Sequence, residues 1–285
     1  MLASSPLRYP GGKSALVGIL RQIRKLNSVG DRAMAEPFAG GAGASLTMLF
    51  AEDTAEIHIN DADQAIHDFW WAVTERNRKF RSLVEKAKLN MQEWRRQRDT
   101  YRNRSRVGRL RRGFSAFYLN RCNRSGIIMN GGPIGGVHQS GIWKLDARFN
   151  RRELIRRLEI LSNFKERIHC TGLDGLDFIE TLDPRRTFFF IDPPYYAKGK
   201  TLYLNALDDD YHSALGARLK NMTEASWVLT YDDCPEVRRI YRSWANIRPF
   251  SLDYAASERR KGSEILITPK WMRVPTSQAS SAIRW

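Results

Sequence analysis

The chain has 285 residues, of which 42% are hydrophobic and 11% aromatic, and this content excludes an intrinsically disordered protein. Its length allows one large domain or two small ones. Lys and Arg outnumber Asp and Glu by 47 to 31, so the formal net charge is +16 and the pI is about 10.1. This excess favours a polyanionic partner, with nucleic acid first and an anionic membrane surface second.

Several other classes of protein are excluded by simple patterns. The first residues lack the apolar core of a secretory signal, and no apolar stretch approaches the roughly 20 residues that span a bilayer. Cys122, Cys170 and Cys234 are far apart and odd in number, which favours reduced thiols over disulfides or a zinc cluster. The histidines are scattered too, so we expect a soluble intracellular protein without a metal site.

Along the chain, short apolar segments bounded by Gly, Pro, Asp or Asn predict β-strands. These segments are 33–38, 56–60, 167–171, 187–191, 227–231, 246–252 and 264–268. Apolar residues at helical spacing predict helices between several of them, at 14–26, 44–52 and 152–161. The alternation of strands and helices indicates an α/β fold around a largely parallel sheet.

Residues 76–112 form a strongly basic segment with a helical pattern. It contains fifteen Lys and Arg residues against three acids, with Trp94 and Tyr101 interleaved. So much like charge repels itself unless a polyanion neutralises it, so we interpret the segment as a nucleic-acid-binding surface rather than a merely solvated face.

Residues 120–150 are dense in Gly, Asn and Arg and predict a hairpin or loop. Their polar side chains suit phosphates and base edges. We predict a second, smaller basic domain at 74–152, inserted into an α/β core domain formed by 1–73 and 153–285. Its candidate DNA-binding residues are Arg95, Arg96, Arg121, Asn123, Arg124, Asn130, His138, Gln139 and Lys144. For Asn130, His138 and Gln139, reading bases and shaping the loop are equal alternatives.

The first motif, at 8–14, reads RYPGGKS. It resembles the end of a phosphate-binding P-loop, but such a loop needs Gly where Leu7 stands and a strand before it, which disfavours an ATPase. The segment still places an aromatic ring, bare backbone and a cation at a helix start, which suits a carboxylate or phosphate. An ordinary Pro-Gly turn is the competing interpretation.

The second motif, EPFAGGAG at 36–43, leads from a strand through a glycine-rich turn into a helix. Leu46 stands where a dinucleotide fingerprint needs Gly, so the turn suits a smaller nucleoside pressed against the backbone. NDAD follows at 60–63, after the next strand. Asp61 is therefore placed to accept hydrogen bonds from ribose hydroxyls.

The third motif, FFFIDPPY at 188–195, ends an apolar strand with an acid, two prolines and an aromatic residue. Proline fixes φ, so the carbonyls of 192 and 193 can be held rigidly toward a ligand. The Asp192 carboxylate and a backbone carbonyl can together accept both hydrogens of an exocyclic amine, and Tyr195 offers a ring for base stacking. A turn with no ligand would leave these acceptors unused at a cost, which disfavours that alternative.

In this order, RYPGGK, EPFAGGAG, NDAD and DPPY resemble the Dam-type DNA adenine-N6 methyltransferases. NRSG at 123–126, LDGLDF at 173–178 and KGSEILI at 261–267 extend the similarity over nearly the whole chain. The resemblance implies a Rossmann-like S-adenosylmethionine-dependent methyltransferase sheet, mostly parallel with one antiparallel edge strand. It also implies an inserted small helical and loop domain that recognises DNA.

The resemblance implies that a methyl group passes from S-adenosylmethionine, leaving S-adenosylhomocysteine, to the N6 amine of an adenine flipped out of double-stranded DNA. Its catalytic positions fall on Asp192, Pro193, Pro194 and Tyr195. Its cofactor-binding positions fall on Tyr9, Lys13, Phe38, Gly41, Asp61, Asp174 and Asp192. Asp61 would hold the ribose of the cofactor, and Asp174 would contact its adenine. The segment 131–141 has no residue-by-residue counterpart in the GATC-recognising members, so the resemblance implies no target sequence.

Two alternatives to this function stay open: an RNA adenine methyltransferase, and a catalytically silent DNA-binding protein on the same scaffold. A protein amide substrate is disfavoured by the basic insert. We expect double-stranded DNA as the partner, no membrane association, and a cytoplasmic location at the nucleoid. Whether a cognate restriction nuclease exists is open.

Overall fold

The computed structural model describes residues 5–8, 13–196, 207–252, 264–275 and 283–284. The chain divides into two compact units. We call them the helical unit, formed by residues 1–12 and 61–172, and the sheet unit, formed by residues 13–60 and 173–285. The segment 74–152, which we propose as the inserted domain, lies within the helical unit.

With elements numbered along the whole chain, the sheet unit holds seven strands and five helices among its described residues. The strands are β1 (Ala33–Glu36), β2 (Ile57–Asn60), β4 (Thr187–Ile191), β5 (Ser226–Asp232), β6 (Ala245–Leu252), β7 (Glu264–Pro269) and β8 (Ile283–Arg284). The helices are α1 (Val17–Leu26), which follows a 3-10 turn at Lys13–Leu16, α2 (Gly43–Phe50), α8 (Gly175–Glu180), α9 (Asp209–Asn221) and α10 (Pro235–Tyr241).

The strands of this unit follow the spatial order β2-β1-β4-β5-β7-β6-β8. β1 pairs in parallel with β2 and β4, and β4 pairs in parallel with β5. β7 runs antiparallel to both β5 and β6. The predicted α/β fold with a mostly parallel, Rossmann-like sheet is therefore confirmed, and the carboxyl ends of β1, β4 and β5 lie at one edge of the sheet.

The centre of the sheet is apolar on both faces. Every residue of β4 and β5 is buried, as expected for strands covered by helices on both sides. Phe189, Ile191, Trp227 and Leu229 belong to one hydrophobic cluster, and Tyr241 of α10 joins it. This packing gives the polar residues that follow the strands a rigid support.

The described part of the helical unit contains five α-helices and one strand. They are α3 (Gln64–Glu75), α4 (Asn77–Lys86), α5 (Met91–Arg102), α6 (Arg109–Cys122), α7 (Arg151–Asn163) and β3 (Ile168–Thr171). Three 3-10 turns lie at Arg104–Arg106, Arg124–Gly126 and Lys165–Arg167. The helical pattern predicted for the basic segment 76–112 is thus observed. None of the helices in the described ranges is long and apolar enough to cross a membrane.

An aromatic cluster forms the core of the helical unit. The rings of Phe69 and Phe117 stack with their centroids 5.8 Å apart, and Phe80 meets both edge-on. A Cβ on Gly113 would lie 2.6 Å from the backbone of Asp68, so only glycine allows this close packing of α6 on α3. These contacts fix the helices that carry the basic surface.

Candidate functional site

The carboxylate of Asp192 lies at the carboxyl edge of the sheet, directly after β4. Thr230 of the neighbouring strand β5 donates a hydrogen bond to its Oδ1 at 2.6 Å. The ammonium of Lys13 lies 3.5 Å from the same oxygen. Both contacts hold the carboxylate in one orientation.

Lys13 joins Asp192 to two further residues of this edge. Its Nζ donates to Glu264 Oε2 at 3.0 Å and to the hydroxyl of Tyr195, and it lies 4.9 Å from the centre of the Tyr195 ring. The structure thus brings together Lys13, Asp192 and Tyr195, which the sequence predicts as site residues. Thr230 and Glu264 were not predicted, although Glu264 belongs to the KGSEILI motif.

Burial and neighbouring charges have opposite effects on the pKa values of Asp192 and Lys13. Burial raises the pKa of the Asp192 carboxyl, and the Lys13 ammonium and the Thr230 hydroxyl only partly oppose that rise. Burial lowers the pKa of Lys13, but Asp192 and Glu264 outweigh it and raise the pKa above its ordinary value. Lys13 therefore stays charged at neutral pH beside the carboxylate.

The two prolines after Asp192 are packed into the unit, with Pro193 buried and Pro194 half-buried. The backbone N–H of Tyr196 donates to Asp232 Oδ1 at 3.0 Å, at the end of β5. This bond holds the end of the Asp-Pro-Pro-Tyr segment. The segment that carries the predicted acceptors is therefore held at two points: Pro193 is buried, and the residue after Tyr195 is bonded to β5.

The glycine-rich turn after β1 uses the left-handed backbone twice, at Gly40 (φ 48°) and at Ala42 (φ 47°). Gly41 lies buried between them. The backbone N–H of Ala39 donates to Asn60 O at 2.8 Å, which ties the turn to the end of β2. The turn brings bare backbone to the same edge of the sheet.

Asn60 connects this turn to the segment before α8. Its amide nitrogen donates to Pro37 O at 2.9 Å and to Leu173 O at 3.0 Å, and its Oδ1 accepts from Leu173 N at 2.9 Å. Asn60 is the first residue of NDAD, and its residue type alone does not predict this role. A buried asparagine thus sets the position of Asp174, the next residue after Leu173.

Asp174 lies exposed at the start of α8 beside two aromatic rings. The Tyr211 hydroxyl lies 3.0 Å from both of its carboxylate oxygens, and Oδ1 also accepts from Leu176 N at 2.8 Å. The Phe38 ring meets that of Tyr211 edge-on, with 6.4 Å between centroids. A Cβ on Gly175 would lie 2.5 Å from Phe38, so the ring sits directly against the backbone. A fixed acceptor beside aromatic surfaces suits a purine.

Two predicted cofactor residues have different settings. Tyr9 lies outside the described residues, as do Gly11 and Gly12 of the same motif. Asp61 belongs to the helical unit, where its Oδ1 accepts a hydrogen bond from Asp63 N at 2.9 Å. Its place directly after β2 is the one predicted.

Of the predicted DNA-binding residues, six are exposed: Arg95, Arg96, Arg124, Asn130, His138 and Lys144. Arg96 is paired with Glu93, at 2.7 and 2.9 Å. Arg95 has no carboxylate partner in the part of the chain that the structure describes. These residues offer cationic and polar groups to a partner in solution.

The three other predicted contacts are held inside the helical unit. Arg121 donates to Arg148 O at 2.8 Å and Pro6 O at 3.4 Å, and burial together with nearby arginines lowers its pKa to about 9. The buried amide of Asn123 accepts from Trp94 Nε1 at 2.7 Å and donates to two backbone carbonyls. These contacts favour a structural role for Asn123, since both its amide hydrogens and its carbonyl are engaged.

Gln139 shapes the glycine-rich loop around it. Its amide nitrogen donates to Ile134 O and Gly136 O, both at 2.7 Å, and its Oε1 accepts from Leu145 N at 2.9 Å. Between the two equal alternatives for this residue, these contacts favour shaping the loop.

The same loop exposes three apolar side chains that sequence analysis did not single out. Val137 is 55%, Ile142 94% and Trp143 69% exposed. Some DNA-binding proteins insert exposed apolar side chains between stacked bases. Their exposure can be read only from the structure, because apolar residues at such positions usually predict burial.

No curated protein matches the chain. Among solved structures, a conserved hypothetical protein from Streptococcus pyogenes aligns over 84% of this chain and 86% of its own, with 10% identity and a TM-score of 0.31. The sequence pattern of the D12 class N6 adenine-specific DNA methyltransferases matches residues 9–254. The resemblance found in the sequence is thereby confirmed, and the chain belongs to the D12 class of N6 adenine-specific DNA methyltransferases.

Proposed function

We propose that the protein transfers a methyl group from S-adenosylmethionine to the N6 amine of an adenine flipped out of double-stranded DNA. The observation that carries this proposal is the Asp192 carboxylate, fixed by Thr230 and Lys13 at the edge of the sheet and followed by two prolines. An adenine inside a duplex cannot present its amine to such a site, so base flipping accompanies the reaction.

The chemistry follows from the acceptors at this position. Among the described residues, the contacts of Asp192 with Thr230 and Lys13 both involve Oδ1, which leaves Oδ2 to accept from the N6 amine. The carbonyl of Pro193 accepts the second N6 hydrogen. The amine nitrogen gains positive charge as the new bond forms, so a carboxylate beside it stabilises the transition state more than the ground state. Tyr195 supports the base through its ring.

The residues of the sheet unit fit the cofactor by their chemistry. S-adenosylmethionine supplies an electrophilic methyl group when bound. Asp174, oriented by Tyr211, would accept from the exocyclic amine of its adenine, and Phe38 would pack against the purine. The buried turn around Gly41 allows close approach to bare backbone. Tyr9 and Asp61 complete the proposed set, on the strength of the resemblance.

We assign the binding of DNA to the helical unit. Its exposed arginines and Lys144 supply the positive charge that a phosphate backbone requires, and this contribution weakens with rising salt. The glycine-rich loop, 131–145, brings Ile142 and Trp143 to the surface, directly before Lys144 in the chain. The enzyme would act in the cytoplasm, on DNA of the nucleoid.

The test is transfer of labelled methyl groups from S-adenosylmethionine to unmethylated duplex DNA, by the wild-type protein and by Asp192→Ala. We expect incorporation by the wild type and a loss of at least about a hundredfold in the variant, because the variant lacks the principal acceptor. Circular dichroism and S-adenosylhomocysteine binding show whether the variant is folded. A folded variant with a wild-type rate would contradict the proposal.

A further inference from the structure

Another buried acid, Glu36, ends β1, which pairs with β4, the strand directly before Asp192. Only 6% of Glu36 is exposed, and its Oε1 accepts from the backbone N–H of Ser45 at 2.7 Å. Ala42, at the start of α2, offers no side-chain cap. The Glu36 carboxylate therefore takes over the capping of that helix, which follows the glycine-rich turn.

The charged groups around Glu36 do not neutralise it. α2 carries no titratable residue, and the His58 imidazole of β2 lies 3.4 Å from Glu56. From the end of β4, Asp192 adds a charge of the same sign. The Lys13 ammonium at this edge is bound to Asp192 and Glu264.

Burial, reinforced by Asp192, raises the pKa of the Glu36 carboxyl to about 7. Among the described residues, no cation is paired with Glu36. Above pH 7 Glu36 is therefore mostly ionised, and the edge of the sheet carries a buried negative charge that is held by the Ser45 N–H but faces no paired side-chain cation among the described residues. Such a charge is costly unless a ligand supplies the opposite one.

We propose that Glu36 is a specificity-determining residue, whose buried carboxylate makes this site favour the cationic methyl donor over the uncharged thioether that remains after transfer. The inference rests on the proposed function. The lone pair of the N6 nitrogen forms the new bond to the methyl carbon as the bond between that carbon and sulfur breaks. The electron pair of the broken bond stays on sulfur, and the amine then releases one proton to water. The sulfonium therefore loses its positive charge, while the rest of the cofactor is unchanged.

The consequence concerns release of the product. Attraction between a buried carboxylate and the sulfonium is present before transfer and absent after it, since a thioether has no charge to attract. Glu36 thus holds S-adenosylmethionine more tightly than S-adenosylhomocysteine and eases departure of the product. No contact between Glu36 and the cofactor is required, because the effect is one of charge at a distance.

The experiment measures dissociation constants of S-adenosylmethionine and S-adenosylhomocysteine by calorimetry without DNA, at pH 6.0 and 7.5. Wild type is compared with Glu36→Gln, which keeps an oxygen acceptor for Ser45, and with Glu75→Gln at the exposed end of α3. In the wild type we expect the preference for S-adenosylmethionine to rise with pH as Glu36 ionises. In Glu36→Gln we expect this preference to be about tenfold smaller at pH 7.5 and flat between the two pH values.

The control variant should behave as the wild type, and titration of the ligands themselves is common to all three proteins. An unchanged ratio of the two dissociation constants in Glu36→Gln, with both ligands bound, would overturn the inference and leave the proposed function standing. Failure of the wild type to bind either ligand would overturn the proposed function and the inference with it.

Discussion

The substitution Glu36→Gln should change how the stability of the protein depends on pH. The pKa of Glu36 is about 7 in the folded protein against an ordinary value of 4.5. Between these values the folded state retains a proton that the unfolded chain releases, so the wild type loses stability as pH rises. From pH 5 to pH 8 the loss due to this group is about 2.5 kcal/mol, since each unit of pKa difference corresponds to about 1.4 kcal/mol.

Glutamine does not titrate, so Glu36→Gln should lack this loss. Urea unfolding at pH 5 and pH 8 gives the free energy of unfolding of both proteins, and the variant should gain about 2.5 kcal/mol relative to the wild type at the higher pH. Glu75→Gln, exposed on α3, should shift by less than about 0.5 kcal/mol. If wild type and Glu36→Gln differ by the same amount at both pH values, then Glu36 does not carry the raised pKa and the reasoning about its burial fails.

Three further substitutions test the rest of the site. Lys13→Met removes the cation that favours ionised Asp192, so the pKa of that carboxyl should rise further. The acidic limb of the pH–rate profile for methylation should then move to higher pH, and an acidic limb at the wild-type pH would contradict this. Tyr211→Phe removes the hydroxyl that orients Asp174 and should weaken S-adenosylhomocysteine binding about tenfold by calorimetry, whereas unchanged affinity would separate Asp174 from the cofactor. Gln139→Ala removes the hydrogen bonds that shape the glycine-rich loop. It should weaken binding of duplex DNA, measured by fluorescence anisotropy, and leave the affinity for the cofactor unchanged. Unaltered DNA affinity would exclude this loop from the interface.

The fold was largely predictable, because buried strands leave a local signal. All seven predicted strands are present, and 187–191 agrees with β4 at both ends. Asp192 could be predicted as a site residue for the same reason: an acid between an apolar strand and two prolines has few structural uses. Local patterns of this kind are independent of what packs against them.

Partners from distant strands could not be predicted. Thr230 is one of several buried polar residues of β5, and its bond to Asp192 exists only because β4 and β5 are neighbours. Residue type alone also does not show which way a side chain points: Asn123 has the chemistry to read bases, whereas its amide contacts Trp94 and two backbone carbonyls inside the helical unit. A sequence gives the donors and acceptors, whereas the packing decides which of them face outward.

The product that we propose for this protein is N6-methyladenine in DNA. The most direct measurement incubates the purified protein with S-adenosylmethionine and unmethylated duplex DNA, or with RNA of the same sequence, then digests the nucleic acid and identifies the nucleosides by mass spectrometry. We expect N6-methyldeoxyadenosine from the DNA, none with Asp192→Ala, and no methylated adenosine from the RNA. Methylation confined to the RNA, or a methyl group on cytosine, would contradict it.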